Sequence, residues 1–163
     1  TPIGPDENAI ELMSRLSFVG ADLLDETLLA LDAIVPRLQD KNSATFAPIL
    51  RKEDGRIDWS MSAKEISDRV RGFQPFPTTF STFRGHRLTL WKAVPLEMDE
   101  FDGVANPGHV AASNGGEFIV GCGHGSFLRV LEIQLEGKKR ISAGDFVNGR
   151  RPAVEEKLGD DRD

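Results

Sequence analysis

Apolar residues recur at helical spacing early in the chain and at alternate positions further on, so the pattern divides the sequence before any motif is read. Residues 8–35 predict two helices. Asn8, followed three positions later by Glu11, has the make-up of a capping box, in which each side chain satisfies a backbone N–H of the first turn. Leu12, Met13 and Leu16 share one face. After Gly20, a second stripe comprises Leu23, Leu24, Thr27, Leu28, Leu31 and Ile34, with Asp22, Asp25, Glu26 and Asp32 on the solvated side. Two helices this short enclose no core alone, so the stripe is expected to lie against something and to mark the end of a larger domain.

From Pro36 to about Gly55 the periodicity fades. Pro36, Asn42, Ser43 and Pro48 read as an extended linker, with Phe46, Ile49 and Leu50 expected to anchor it on a surface. Ser60 or Ser62 then caps a helix running to about Gly72, with Ala63, Ile66, Val70 and Phe73 inward. Gly72 and Pro75-Phe76-Pro77 stop it. Five strand-like segments follow: Thr78–Phe83, Arg87–Val94, Gly108–Ala112, Glu117–Cys122 and Phe127–Leu135. Turn signals separate most of them, the clearest being Asn114-Gly115-Gly116. The weak alternation in Leu128-Arg129-Val130-Leu131 predicts a bulge or burial on both sides. Ser142 with Asp145 opens a last short helix that ends at Gly149. The fold class expected is α+β: a small five-stranded OB-like Greek-key barrel with flanking helices. The acidic tail after Pro152 is expected to fray.

Charge sharpens this division. The chain of 163 residues carries a formal net charge of −6, unevenly spread. Residues 1–40 hold 8 acids and 2 bases, residues 41–151 hold 16 bases and 13 acids, and residues 152–163 hold 5 acids and 2 bases. The middle segment is therefore the part suited to a polyanion, because electrostatic footprints are local. No apolar run is long enough to span a membrane, and the N-terminus lacks the features of a signal peptide. The single cysteine, Cys122, forms no internal disulfide, so a cytoplasmic or organellar-matrix location is expected.

Candidate chemistry is sparse. Gly121-Cys122-Gly123-His124-Gly125 has the glycine content of a phosphate loop, but such loops open helices, whereas this run leads into a strand and reads as a hairpin turn. Cys122 and His124 lack the complementary pair that a structural zinc site requires. His86, His109 and His124 all fall in or beside turns. The carboxylates between Glu97 and Asp102 read as a solvated turn. Trp59 and Trp91 suit either base stacking or packing, with packing the commoner role, and Phe76, Phe80 and Phe83 are read as core. The basic residues form four groups: Arg51, Lys52 and Arg56 in the linker; Arg69 and Arg71 on the first helix after it; Lys138, Lys139 and Arg140 in a turn; Arg150 and Arg151 after the final helix. Each group alone suits an ordinary solvated surface, and together they suit a phosphate-contacting one.

Two long motifs give this pattern a family. Lys52-Glu53-Asp54-Gly55-Arg56-Ile57-Asp58-Trp59-Ser60 is answered far downstream by Glu136-Gly137-Lys138-Lys139-Arg140-Ile141-Ser142-Ala143-Gly144-Asp145-Phe146. Together they resemble the C-terminal region of the methionyl-tRNA formyltransferases, and the resemblance runs from Thr1-Pro2-Ile3-Gly4-Pro5-Asp6-Glu7 to Asn148-Gly149-Arg150-Arg151. It implies that residues 1–35 are the closing helices of a Rossmann-like catalytic domain, 36–57 a linker, 58–152 an OB-like tRNA-binding domain and 153–163 an acidic tail. It also implies initiator Met-tRNA as partner and 10-formyltetrahydrofolate as co-substrate, the latter bound by the missing domain. In the family, an Asn-x-His pair and an Asp in that domain do the chemistry, so no catalytic residue and no formyltransferase activity are expected here. The tRNA-facing groups matched by motif are Lys52 and Lys138-Lys139-Arg140. The family linker usually carries a lysine where this chain has Ile49, with Arg51 the candidate substitute. Two alternatives stay open: another enzyme using 10-formyltetrahydrofolate, a sugar-nucleotide formyltransferase or a hydrolase, and a stand-alone OB module binding RNA or protein. The uncovered apolar stripe makes self-association a further expectation.

Overall fold

The computed structural model describes residues 1–96, 100, 101, 103, 104 and 106–159. The chain divides into two compact units, Thr1–Leu50 and Arg51–Asp163.

The first unit is built on α1 (Ala9–Leu29). Asn8 Oδ1 accepts from the N–H groups of Ile10 and Glu11 at 2.9 and 3.0 Å, and Glu11 returns a carboxylate to the Asn8 N–H at 3.0 Å. The helix continues through Gly20, so one helix stands where two were expected. A glycine inside a helix costs about 1 kcal/mol, less than opening the hydrogen-bond ladder on both sides of it. Arg15 ties the N-terminal segment back by bonding Glu7, Thr1 Oγ1 and the Pro2 carbonyl at 2.7–2.8 Å. No residue of α1 is buried, and Leu23, Leu24 and Leu28 stand 60%, 56% and 58% exposed. The stripe is present, and nothing else within this first unit covers it. Phe46 and Ile49, expected to anchor the linker, are likewise exposed at 90% and 92%. Residues 34–50 have no periodic pattern to seat them, and their regular feature is a 3₁₀ turn at Lys41–Ser43 capped by Asp40.

The second unit carries the core. A 3₁₀ turn at Lys52–Gly55 brings Arg56 beside Phe80, where the Ile57 N–H reaches the Phe80 carbonyl at 2.8 Å. α2 (Ala63–Gly72) begins on Ser62, whose hydroxyl and Glu65 form a second capping box, and buries Ala63, Ile66, Ser67 and Val70. Six strands follow among the described residues: β1 (Thr79–Phe83), β2 (His86–Pro95), β3 (Val110–Asn114), β4 (Glu117–Gly121), β5 (Phe127–Leu135) and β6 (Ile141–Ser142). α3 (Ala143–Arg150) closes the series, capped by Ser142. The sheet is antiparallel in the order β1-β2-β5-β4-β3, with β6 on β5. The hairpin run β3-β4-β5 with β2 beside β5 is a Greek key. Its two-residue turns, Arg84-Gly85 and Gly115-Gly116, have positive φ throughout, which matches the twist of the flanking strands.

Inward residues Phe83, Leu88, Leu90, Val110, Phe118, Val120, Leu128, Val130 and Ile133 meet Ile66, Val70 and Phe146 in one core. Leu96, Ile119 and Phe127 form a smaller cluster with Phe101. The bulge foreseen in β5 lies in its ladder with β2, where the register shifts on either side of the Lys92–Glu132 pair. The third strand sits two residues later than expected, and the two-residue strand β6 was not foreseen.

Two expectations are corrected here. Among the described residues no strand ladder closes a barrel, because β1 and β3 remain the edges of the sheet. The segment after Pro152 does not fray over its described length; it runs between those edges. The Glu155 N–H meets the Val110 carbonyl at 2.8 Å, the Val110 N–H meets the Glu156 carbonyl at 2.9 Å, and the Gly159 N–H meets the Thr82 carbonyl at 3.0 Å. Leu158 is buried in the core, and Arg84 holds the Glu156 carboxylate at 2.7 and 2.9 Å. Edge strands leave unpaired backbone groups, and this segment satisfies several of them.

Candidate nucleic-acid interface

Pairing in the ladder puts alternate residues on one face. Phe80 pairs with Thr89, Thr89 with Gln134, and Thr82 with Arg87, so these side chains share the face opposite the main core. Trp91 stands at the bulge and donates Nε1–H to Gln134 Oε1 at 3.0 Å, which brings it to the same face. Glu132 pairs with Lys92 on one side and with Ser142 on the other.

All of the basic residues singled out by sequence belong to this second unit. Arg51 is the N-cap of the 3₁₀ turn and Lys52 its first residue, both exposed. The Arg56 guanidinium lies 5.9 Å from the Phe80 ring centroid. Arg87, which sequence reasoning passed over, lies 3.6 Å above the same ring. Arg140 lies 5.1 Å from the Trp91 centroid and is ion-paired with Glu132. Lys138 and Lys139 are exposed in the turn beside it, and the Lys138 carbonyl accepts from Gln134 Nε2 at 2.8 Å. Arg69 and Arg71 stay on α2. Arg69 packs 5.7 Å over Phe73, and Arg71 pairs with Asp68 at 2.7 Å. Arg150 and Arg151 end α3, and their carbonyls hold the Arg84 guanidinium at 3.1 and 3.4 Å.

The structure thus brings Arg56 and Arg140 to one sheet face and places α2 and the end of α3 elsewhere in the unit. Arg87 was legible in principle: Leu88 and Leu90 point inward, so period-2 alternation turns Arg87 and Thr89 outward.

The remaining candidates behave as packing. Trp59 is buried, with Nε1–H on Ser81 Oγ at 3.1 Å. Cys122 is fully buried, and burial pushes its thiol up to about 12. Gly123–Gly125 forms a 3₁₀ turn between β4 and β5, with His124 at φ 57°. Phe83 is core and Phe80 half-buried. Phe76 is not core: it is 51% exposed, because neighbouring Pro77 takes the buried place. The carboxylates Glu97, Asp99 and Asp102 lie outside the described residues. A groove of about 290 Å³ between Arg129 and the start of α3 already holds a carboxylate, Glu117, at 3.3 Å from Arg129 Nε. Among the described residues, no helix is long and apolar enough to cross a membrane.

Comparison with known proteins bears on this arrangement. Residues 49–151 match the family described as formyl transferase, C-terminal domain. The chain is 50% identical over 162 residues to a methionyl-tRNA formyltransferase of Solibacter usitatus, covering 98% of this chain and 50% of that protein. It is 44% identical over 160 residues to the enzyme of that name from Koribacter versatilis, covering 97% and 49%. The chain therefore spans about half the length of the curated relatives it matches. A crystal structure of a HypX variant from Aquifex aeolicus superposes with a TM-score of 0.66 at 18% identity, over 96% of this chain and 28% of that one. HypX in complex with tetrahydrofolic acid gives 0.57 at 18% identity, over 83% and 24%. At that identity the likeness is one of fold.

Proposed function

The chain belongs to the formyl transferase C-terminal domain family, and on that premise we propose that it is the tRNA-binding part of a methionyl-tRNA formyltransferase. In the parent enzyme a formyl group passes from 10-formyltetrahydrofolate to the amino group of initiator Met-tRNA in the cytoplasm. This chain holds the RNA, and a separate Rossmann-like domain, of which residues 1–35 are the end, binds the folate and performs the transfer.

The observation that carries this reading is the 50% identity across 98% of the chain to a protein of that name. The chemistry of the residues supports it. Formyl transfer needs a polarised carbonyl, an oxyanion donor and a proton acceptor in one place. Among the described residues His86 opens β2, His109 forms a bridge with Lys157, His124 lies in the β4–β5 turn and Cys122 is buried in the core, an arrangement that favours assigning the transfer chemistry to the other domain. The exposed cations, by contrast, suit a polyphosphate, which binds by releasing counterions and without reading sequence.

Titrating labelled tRNA at two salt concentrations tests the proposal. Affinity is expected to fall with salt by about 0.9 log unit per log unit for each duplex phosphate neutralised. Replacing Lys138, Lys139 and Arg140 together by Ala lowers both affinity and slope, whereas His86→Ala and His124→Ala change neither. The purified chain supplied with 10-formyltetrahydrofolate and Met-tRNA shows no turnover. Binding that ignores both salt and the triple substitution defeats the RNA assignment, and turnover at the rate of a complete enzyme defeats the division of labour.

A further inference from the structure

Two guanidiniums converge on the Phe80 ring, with Arg87 at 3.6 Å and Arg56 at 5.9 Å from its centroid. Neither makes an ion pair among the described residues, and the Arg87 side chain makes one long hydrogen bond, 3.5 Å to Thr78 Oγ1. Like charges gathered at one ring repel, and a polyanion bound at that face offsets the repulsion. Further along the same face, Arg140 rests against Trp91 with Gln134 beside it. Carboxylates flank the face: Glu132 is engaged by Arg140, Glu136 Oε2 takes the Arg87 backbone N–H at 3.3 Å, and beside Arg56 in sequence stand Glu53, Asp54, which takes the Arg51 N–H at 2.6 Å, and Asp58, which is bonded by Ser60.

We propose that Arg87, seated over the Phe80 ring, and Arg56 beside it form a phosphate clamp that seats the RNA backbone on the outer face of β1, β2 and β5, with Arg140 on Trp91 as its continuation. The proposal rests on the RNA-binding reading above and deepens it by naming the surface. It also assigns the aromatic rings a role different from base stacking. A guanidinium 3.6 Å above the Phe80 centroid occupies the place a base would take. The ring instead fixes the plane of a side chain that otherwise loses much rotamer freedom on binding, and a fixed planar fork matches two phosphate oxygens at once. Lysine at the same position keeps the charge and loses the fork. The occupant is a phosphodiester backbone because the clamp offers planar cations and no apolar cleft.

The test is tRNA titration at two salt concentrations with the full chain and single variants whose folding is confirmed by circular dichroism. Arg87→Ala is expected to weaken binding about fivefold and to lower the salt slope by about 0.9. Arg87→Lys is expected to keep the slope yet weaken binding about threefold, and charge-neutral Phe80→Leu to do the same. Lys64→Ala, which removes a charge paired with Asp68 on α2, serves as control and stays near the parent. If Arg87→Ala behaves like Lys64→Ala while the Lys138-Lys139-Arg140 triple variant loses affinity, the clamp is refuted and the RNA reading survives. If Arg87→Lys is indistinguishable from the parent, the face offers charge alone and the clamp fails. If polyglutamate competes as strongly as tRNA through Arg87, the face recognises acidic protein and the proposal is overturned. A parent chain that does not bind tRNA at low salt defeats both readings.

Discussion

The Gly123 N–H faces the Trp59 and Met61 carbonyls at 2.9 Å each, which pulls the β4–β5 turn against the segment that leads into α2. A Cβ placed there would come within 1.7 Å of the Ser60 carbonyl oxygen, so this glycine is required by close approach and not by its φ. Gly123→Ala is expected to destabilise the chain by about 3 kcal/mol or more, the upper range for forced overpacking. Urea unfolding followed by circular dichroism measures it, and a loss below 1 kcal/mol would show that the two segments separate easily. The glycine run announced a turn in the sequence. Its second role stayed hidden because the residue it touches lies some sixty positions away. Cys122 illustrates the legible kind of residue: a lone cysteine in an apolar strand end reads as core, and with its thiol pushed up to about 12 it stays uncharged at neutral pH.

At the scale of elements, helix starts were the most readable feature, since a cap is a local bargain between residues three apart. Asn8–Glu11 and Ser142–Asp145 form as the spacing implied, and of the two candidates Ser60 and Ser62 it is Ser62, paired with Glu65, that caps α2. Ser62→Ala is expected to cost about 1 kcal/mol, read from the urea midpoint with the slope unchanged. The segment after Pro152 was unreadable for the converse reason. Its place depends on backbone groups of Val110, Gly108 and Thr82, and composition marks it only as acidic. Its docking has two consequences. Leu158→Ala is expected to cost about 2–5 kcal/mol, as for other buried leucines, so removal of residues 153–163 is no neutral control in a binding assay. The second consequence is a pH dependence. The hydrogen bond from Arg84 holds the Glu156 carboxyl below its ordinary 4.5, and hydrogen bonds from Ser60 hold the Asp58 carboxyl below its ordinary 3.8. A carboxyl with a depressed folded pKa stabilises the fold above its ordinary value and loses that contribution as pH falls through the folded one. Acid unfolding of the parent is therefore expected to deepen below about pH 4.5, and Glu156→Gln to flatten the profile below that pH. An unchanged profile in that variant would show the ion pair to be fully screened.

Across the whole molecule, the two units differ in what holds them. The second unit contains every residue of both hydrophobic clusters, whereas α1 buries none. Charge divides in the same way: residues 1–50 hold 8 acids and 3 bases, and residues 51–163 hold 18 acids and 17 bases. A chain starting at Arg51 is therefore expected to fold with a urea midpoint close to that of the parent, within about 1 kcal/mol, since no core residue is lost. Its net charge is −1 instead of −6, so the field repelling a polyanion weakens and its affinity for tRNA is expected to equal or exceed the parent's at low salt. The advantage should vanish as salt screens charges beyond about 10 Å, which separates a field effect from a direct contact. Limited proteolysis gives an independent reading, with first cuts expected in residues 34–50, where no apolar anchor is seated, followed by a resistant fragment beginning near Arg51. If the shortened chain fails to unfold cooperatively, α1 contributes to the core in solution. If it folds but binds tRNA more weakly at every salt concentration, residues 1–50 carry RNA contacts that their charge does not advertise.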